Sequence, residues 1–100
     1  MKIIMNDIIT KITPEIAYRY ARENGPDENI EMIIATDAKY SFWYAKYVLR
    51  GKFKLGERII ASNHYINKQY NDDVINYDFE LADKIYQEAL AKVGGRVELL

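Results

Sequence analysis

The side chains able to do acid–base, metal or nucleophilic chemistry are thinly spread along this chain. His64 is the only histidine and there is no cysteine, so a zinc site would have to be completed by carboxylates, and disulfides and thiolate nucleophiles are excluded. Asp72, Asp73, Asp78, Glu80 and Asp83 form the densest acidic stretch. Paired carboxylates can move a proton or hold a hard cation, but these do not follow the calcium-loop order, and at helical pitch they spread around a surface. No GxxxxGK[ST], GxGxxG or GxSxG occurs, so phosphate cradles and nucleophile elbows have no support. The expectation is a protein without catalytic residues, metal or cofactor.

Recognition chemistry is better represented. Lys46, Lys39, Arg50, Trp43 and Tyr47 fall, in that order, within an arc of roughly 100° on a helix advancing about 100° per residue. An aromatic pair bordered by three cations has the composition of an interface anchor, and the same groups suit stacking on bases beside phosphates.

The elements that carry this stripe come from an internal repetition. At an offset of 26 the stretch Asp37 to Ala61 falls on the chain that follows it, with Tyr44 on Tyr70, Val48 on Val74, Phe53 on Phe79, Leu55 on Leu81, Glu57 on Asp83 and Ile59 on Ile85. Upstream, Thr13 to Arg22 matches at an offset of 24, and IIAT at Ile33 matches IIAS at Ile59 at an offset of 26. A period of this length marks a helical array in which one unit cannot bury its own apolar face and stacked neighbours form the core. The expected fold is therefore all-α: short helical-hairpin repeats of about 26 residues stacked into one compact array of about seven helices. A partial unit at 3–10 would cap units at 13–36, 37–62 and 63–93, all within one domain spanning 1–100.

Local signals agree with that division. Thr13 followed by Pro14 opens a helix, Gly25-Pro26 closes it, and Asp37, Asn63 and Asp78 are the next caps. The last helix is expected to stop near Val93, before Gly94-Gly95. Ile16, Tyr40 and Ile66, and likewise Tyr20, Tyr44 and Tyr70, occupy matching apolar places and are expected in the shared core. Trp43 and Tyr47 instead match Arg19 and Glu23 in one direction and Gln69 and Asp73 in the other. Their neighbours treat that face as solvent, which leaves Trp43 either on an exposed binding face beside Tyr47 or packed against the N-terminal helix or the C-terminal tail.

Composition sets the class. The chain has 100 residues, 49% apolar and 29% charged, with two prolines and five glycines, which suits one globular domain. Net charge is −1, yet residues 1–36 carry four cations and six anions, 37–62 six and two, and 63–100 four and seven. Only the middle unit is basic, unlike a protein that coats long nucleic acid. The N-terminal MKIIMNDIITKI is too short and polar to cross a bilayer, and a soluble, cytoplasmic protein is expected.

The phrases AYRYAR, SFWYAKYVLRGKFKLGERIIA and YNDDVI resemble the repeat of uncharacterised tailed-phage proteins, written around YAxDVLKGRFxxGExxIA. The resemblance covers roughly residues 13 to 87. It implies a phage or prophage origin and a helical repeat, and no established activity. Tyr47 stands where that pattern usually has aspartate, and Lys54 where proline is common. The functional expectation is a non-catalytic protein-binding module whose partner-binding residues are Trp43, Tyr47, Lys39, Lys46 and Arg50. Its partner would be a host or phage protein with an acidic surface. Small phage proteins often neutralise host enzymes, so inhibition of a host defence complex is the specific form of this expectation. The alternative is a nucleic-acid-binding module using the basic middle unit.

Overall fold

Each hairpin opens where a short polar side chain can satisfy a helix's first free N–H. In the computed structural model, which describes residues 12–97, Thr13 accepts from the Ile16 N–H, Asp37 from Tyr40, Asn63 from Ile66 and Asp78 from Leu81. Asp27, a cap the repetition does not indicate, accepts from the Asn29 N–H. The resulting elements are α1 (Pro14–Asn24), α2 (Glu28–Ile34), α3 (Ala38–Trp43), α4 (Glu57–Ala61), α5 (His64–Tyr70) and α6 (Phe79–Val97). Six α-helices and no strand occur among the described residues. The expected helix at 3–10 lies outside them. Among the described residues, no helix is long and apolar enough to cross a membrane.

Two helices end in a way the repetition does not announce. α3 runs on as a π-helical turn (Tyr44–Leu49), and α5 does so as another (Asn71–Ile75). The Arg50 N–H reaches back to the Ala45 carbonyl and the Asn76 N–H to that of Asn71, so each helix takes in an extra residue as it closes. α1 has no such turn. It ends at Gly25, whose φ of +93° is a conformation glycine adopts at little cost.

The core joins the first five helices. Ala17, Tyr18 and Ala21 from α1, Ile34 from α2 and Phe42 from α3 are buried with Tyr44, Ala45, Phe53, Ile60, Tyr70 and Val74. Gly56 lets α4 approach α3, since a Cβ there would stand 2.7 Å from both the Phe53 ring and Ser41 Oγ. Two expected core members are corrected: Ile16 is 52% and Tyr20 48% exposed. Tyr44 finds its polar partner in Glu31 on α2. The position that would serve Tyr20 in the same way is Asp7, outside the described residues.

The helices are tied by two hydrogen-bonded tyrosines of identical spacing. Tyr44 Oη donates to Glu31 Oε2 at 2.6 Å and accepts from the Asp27 N–H at 3.3 Å. Tyr70 Oη donates to Glu57 Oε2 at 2.6 Å and accepts from the Phe53 N–H at 3.0 Å. Each hydroxyl therefore fastens one helix to the hairpin arm before it.

The last helix departs from expectation at both ends. It continues through Gly94-Gly95 to Val97, because a glycine inside a helix costs only about 1 kcal/mol relative to alanine and does not by itself end it. Beyond its first turn, no other described element packs closely on α6.

Burial, then the hydrogen bond to Glu31, pushes the Tyr44 phenol above its ordinary range, and burial with Glu57 does the same for Tyr70. A phenol raised in the folded state leaves stability intact below its unfolded pKa of about 10. Above it, the unfolded chain loses the proton first and stability declines. Urea midpoints should therefore be level between about pH 7 and 9 and fall above about pH 10. A Tyr44→Phe, Tyr70→Phe double variant should be less stable at neutral pH yet descend more gently; an equally steep descent would show that these phenols are not its source.

Candidate functional site

The two π-helical turns lie against each other, and their outer residues make a cleft. Lys46, Tyr47 and Arg50 come from the first turn and its end, Asp73 from the second, and Tyr77 and Phe79 from the approach to α6. The cleft encloses about 320 Å³, at the lower bound of the range typical of small-ligand pockets. Tyr47 and Tyr77 stand open on its rim at 49% and 47% exposure, and Tyr77 meets Phe79 edge-on at 4.7 Å.

Its charges are already paired. Lys46 Nζ donates to Asp73 Oδ2 at 3.2 Å, bridging the two π-helical turns. That hydrogen bond holds the Lys46 ammonium above its ordinary pKa. Arg50 grips Asp83 with both arms, Nη1 to Oδ2 at 3.1 Å and Nη2 to Oδ1 at 2.8 Å, while lying 5.1 Å over the Phe79 ring. Arg22 reaches from α1 to within 5.4 Å of the Tyr47 ring. The cleft is thus an aromatic slot with neutralised edges.

Of the five residues singled out in the sequence, three come together here and two do not. Tyr47, Lys46 and Arg50 line the cleft. Trp43 is half-buried, 5.9 Å from the Tyr18 ring and 5.4 Å edge-on to Tyr40. Of the two placements open to it, Trp43 takes the packed one: its ring packs α3 on α1. Lys39 lies over Trp43 and Tyr40 at 5.2 and 4.7 Å, away from the cleft. Tyr77 and Phe79 line the cleft without having been singled out as binding residues, and Asp73, weighed in the sequence only as part of an acidic stretch, lines it as the partner of Lys46. A signal for Tyr77 exists, since the residue 26 places before it is Gly51.

The remaining polar groups do not assemble into reactive sets. His64 is exposed with Tyr65 beside it at 5.7 Å. Among the described residues no three His, Asp or Glu side chains converge as metal ligands would. The buried phenols of Tyr44 and Tyr70 are held protonated, which suits a structural hydroxyl rather than a base.

Comparison of the chain with family models, curated proteins and solved structures finds no match.

One backbone feature concentrates strain at the cleft. Arg50 is the only described non-glycine residue with positive φ, at 53°, a conformation that costs an L side chain about 1 kcal/mol or more. Gly51, which is free to adopt it, stands one place too late. Arg50→Gly should therefore leave a protein about 1 kcal/mol more stable in urea than Arg50→Ala, because both lose the exposed ion pair and only glycine relieves the backbone. Equal stability of the two variants, or a less stable glycine variant, would rule out the strain.

Proposed function

We propose that the chain is a non-catalytic protein-binding module of stacked helical-hairpin repeats of about 26 residues, with the cleft at Tyr47, Tyr77 and Phe79 as its partner site. The observation that carries this reading is an aromatic slot built on a strained backbone residue. Two half-exposed tyrosines flank a phenylalanine, and Arg50 is kept at a left-handed position where glycine would fit better. Strain retained beside an aromatic cleft is a mark of functional sites, and tyrosine with arginine is the composition of interface anchors.

The repeat architecture is supported by contacts at constant spacing. The Tyr44 and Tyr70 hydrogen bonds, the Asp37 and Asn63 caps, and the bonds from Thr36 Oγ1 to Ile33 O and Ser62 Oγ to Ile59 O each recur at the offset that relates the two units. The resemblance to tailed-phage repeat proteins supplies the setting. In it, the chain acts in the host cytoplasm as a phage or prophage accessory protein that binds a host protein complex and inhibits it, of anti-defence type.

The pairing of Lys46 with Asp73 and Arg50 with Asp83 refines the partner's chemistry. A partner inserts an apolar or aromatic group between Tyr47 and Tyr77 and brings carboxylates that compete for the two cations. Nucleic-acid binding is less favoured, because the chain carries a net charge of −1 and only residues 37–62 have an excess of cations.

Capture from a host lysate tests the proposal when done with the wild type and with Tyr47→Ala and Tyr77→Ala. Both rings are exposed, so folding should change by only about 0.5 kcal/mol, while truncating an anchor should weaken binding by about 2 kcal/mol. Loss of the captured protein by both variants, with modest salt dependence, is the expected result. Unchanged capture would reject the cleft, and affinity for an oligonucleotide falling steeply with salt would favour the nucleic-acid alternative.

A further inference from the structure

The chain holds two grooves of one design, and only the first is filled. In the first, Ser41, Tyr44 and Ala45 are fully buried, and the segment Phe53–Gly56 of the following unit lies on Ser41 and Tyr44. The Phe53 ring meets Tyr44 edge-on at 4.8 Å, and a Cβ at Gly56 would stand 2.7 Å from Ser41 Oγ. At an offset of 26, Asn67, Tyr70 and Asn71 take these places. They line an open groove of about 360 Å³ beside α4, α5 and the second π-helical turn. The segment that would fill it by repetition, Phe79–Ala82, is engaged elsewhere: Phe79 stands in the cleft, edge-on to Tyr77 at 4.7 Å and with Arg50 5.1 Å above it.

The open groove differs from the filled one in its chemistry. Lys52 and Lys54 line it where the preceding unit has Pro26 and Glu28, and Asn67 and Asn71 where it has Ser41 and Ala45. Lys52, Lys54 and Asn71 are exposed and Asn67 is half-buried. Among the described residues neither lysine is ion-paired. A carboxamide offers a donor and an acceptor to a neighbouring backbone, whereas under an apolar arm it would lose water without replacement. Glu57, the one carboxylate among the described lining residues, is engaged by the Tyr70 hydroxyl at 2.6 Å. The groove is thus cationic where the chain enters α4 and rich in amides along α5, with the nearly buried Tyr70 at its floor.

We propose that this groove is a second partner site, independent of the cleft, which receives an extended segment of a partner protein carrying an aromatic side chain followed by an acidic one. The filled groove supplies the aromatic: the guest ring takes the place against Tyr70 that Phe53 takes against Tyr44. The lysines supply the charge. In the first unit Glu28 goes with a filling segment that has Lys54 after its phenylalanine, and in the second Lys54 goes with Glu80 after Phe79, so the two charges invert together. Asn67 and Asn71 then pair with the guest's backbone N–H and C=O groups. The chain's own Phe79 does not serve, because it is held in the cleft beneath Arg50. A nucleic-acid backbone fits less well, since two lysines share the groove with Glu57.

NMR titration of the isotope-labelled full chain with the capped peptide NYDFELADK, the sequence of residues 76–84, tests this, because that peptide has the proposed order of side chains. The side-chain amides of Asn67 and Asn71 should shift, with a dissociation constant below about 1 mM. Lys52→Glu with Lys54→Glu should weaken binding about tenfold or more. A peptide carrying Phe79→Ala or Glu80→Lys should lose affinity to a similar extent with the protein unaltered. The Glu80→Lys peptide should regain affinity for the Lys52→Glu, Lys54→Glu chain. Absence of shifts up to about 1 mM peptide, shifts confined to Tyr47 and Tyr77, or indifference to either charge reversal would overturn the proposal. So would a dimer of the chain alone that the lysine variant dissolves, which would make a second copy the occupant.

Discussion

A tyrosine hydroxyl taken out of water must find both a donor and an acceptor, and this chain meets that demand the same way twice. Tyr44 and Tyr70 are almost wholly buried, and leaving either hydroxyl unpaired would cost about 1 to 3 kcal/mol. Each is instead saturated by a glutamate 13 residues upstream and a backbone N–H 17 residues upstream. The phenol ring fills the core while its oxygen sets how far the preceding hairpin arm lies away. Among the described residues no buried side-chain polar atom is left without a partner.

The same spacing accounts for where the cleft sits. Glu31, Glu57 and Asp83 follow one another at intervals of 26 residues, and the first two receive a tyrosine. Where a third tyrosine would follow Asp83 the chain has Arg96, and Asp83 is held by Arg50. Meeting that carboxylate draws Arg50 to the end of the π-helical turn, with its left-handed backbone, over Phe79. The cleft is the space left beside this substitute tie. Among the described residues Leu81, Ile85, Tyr86, Leu90 and Val93 of α6 then stay largely exposed.

Much of this is legible in the residues, for identifiable reasons. Caps are local chemistry, so Thr13, Asp37, Asn63 and Asp78 can be read from residue type and position. The matched pair Tyr44 with Tyr70 points to equivalent packing, though it says nothing of hydrogen bonds to Glu31 and Glu57; the match of Phe53 with Phe79 does not hold, since Phe53 is buried in the core and Phe79 is half-buried and lines the cleft. The π-helical turns are not legible, because a five-residue rather than four-residue closure depends on tertiary fit and not on composition. The polar counterparts Arg19 and Gln69 leave Trp43 undecided: Tyr40 is a neighbour one turn away on α3, but the contact with Tyr18 on α1 is one that only the three-dimensional fold supplies. Tyr20 misleads outright: it is 48% exposed, and the carboxylate 13 residues before it, Asp7, lies outside the described residues.

If each tyrosine–glutamate hydrogen bond couples a helix to the hairpin before it, the coupling is measurable as a non-additive free energy. A double-mutant cycle in urea reads it directly, using Tyr44→Phe with Glu31→Gln, and Tyr70→Phe with Glu57→Gln. Both cycles should give an interaction of about 1 kcal/mol or more, as for a charge-assisted hydrogen bond shielded from water. Cycles that close near zero, with the single variants simply additive, would show that the hydroxyls do not hold the hairpins together.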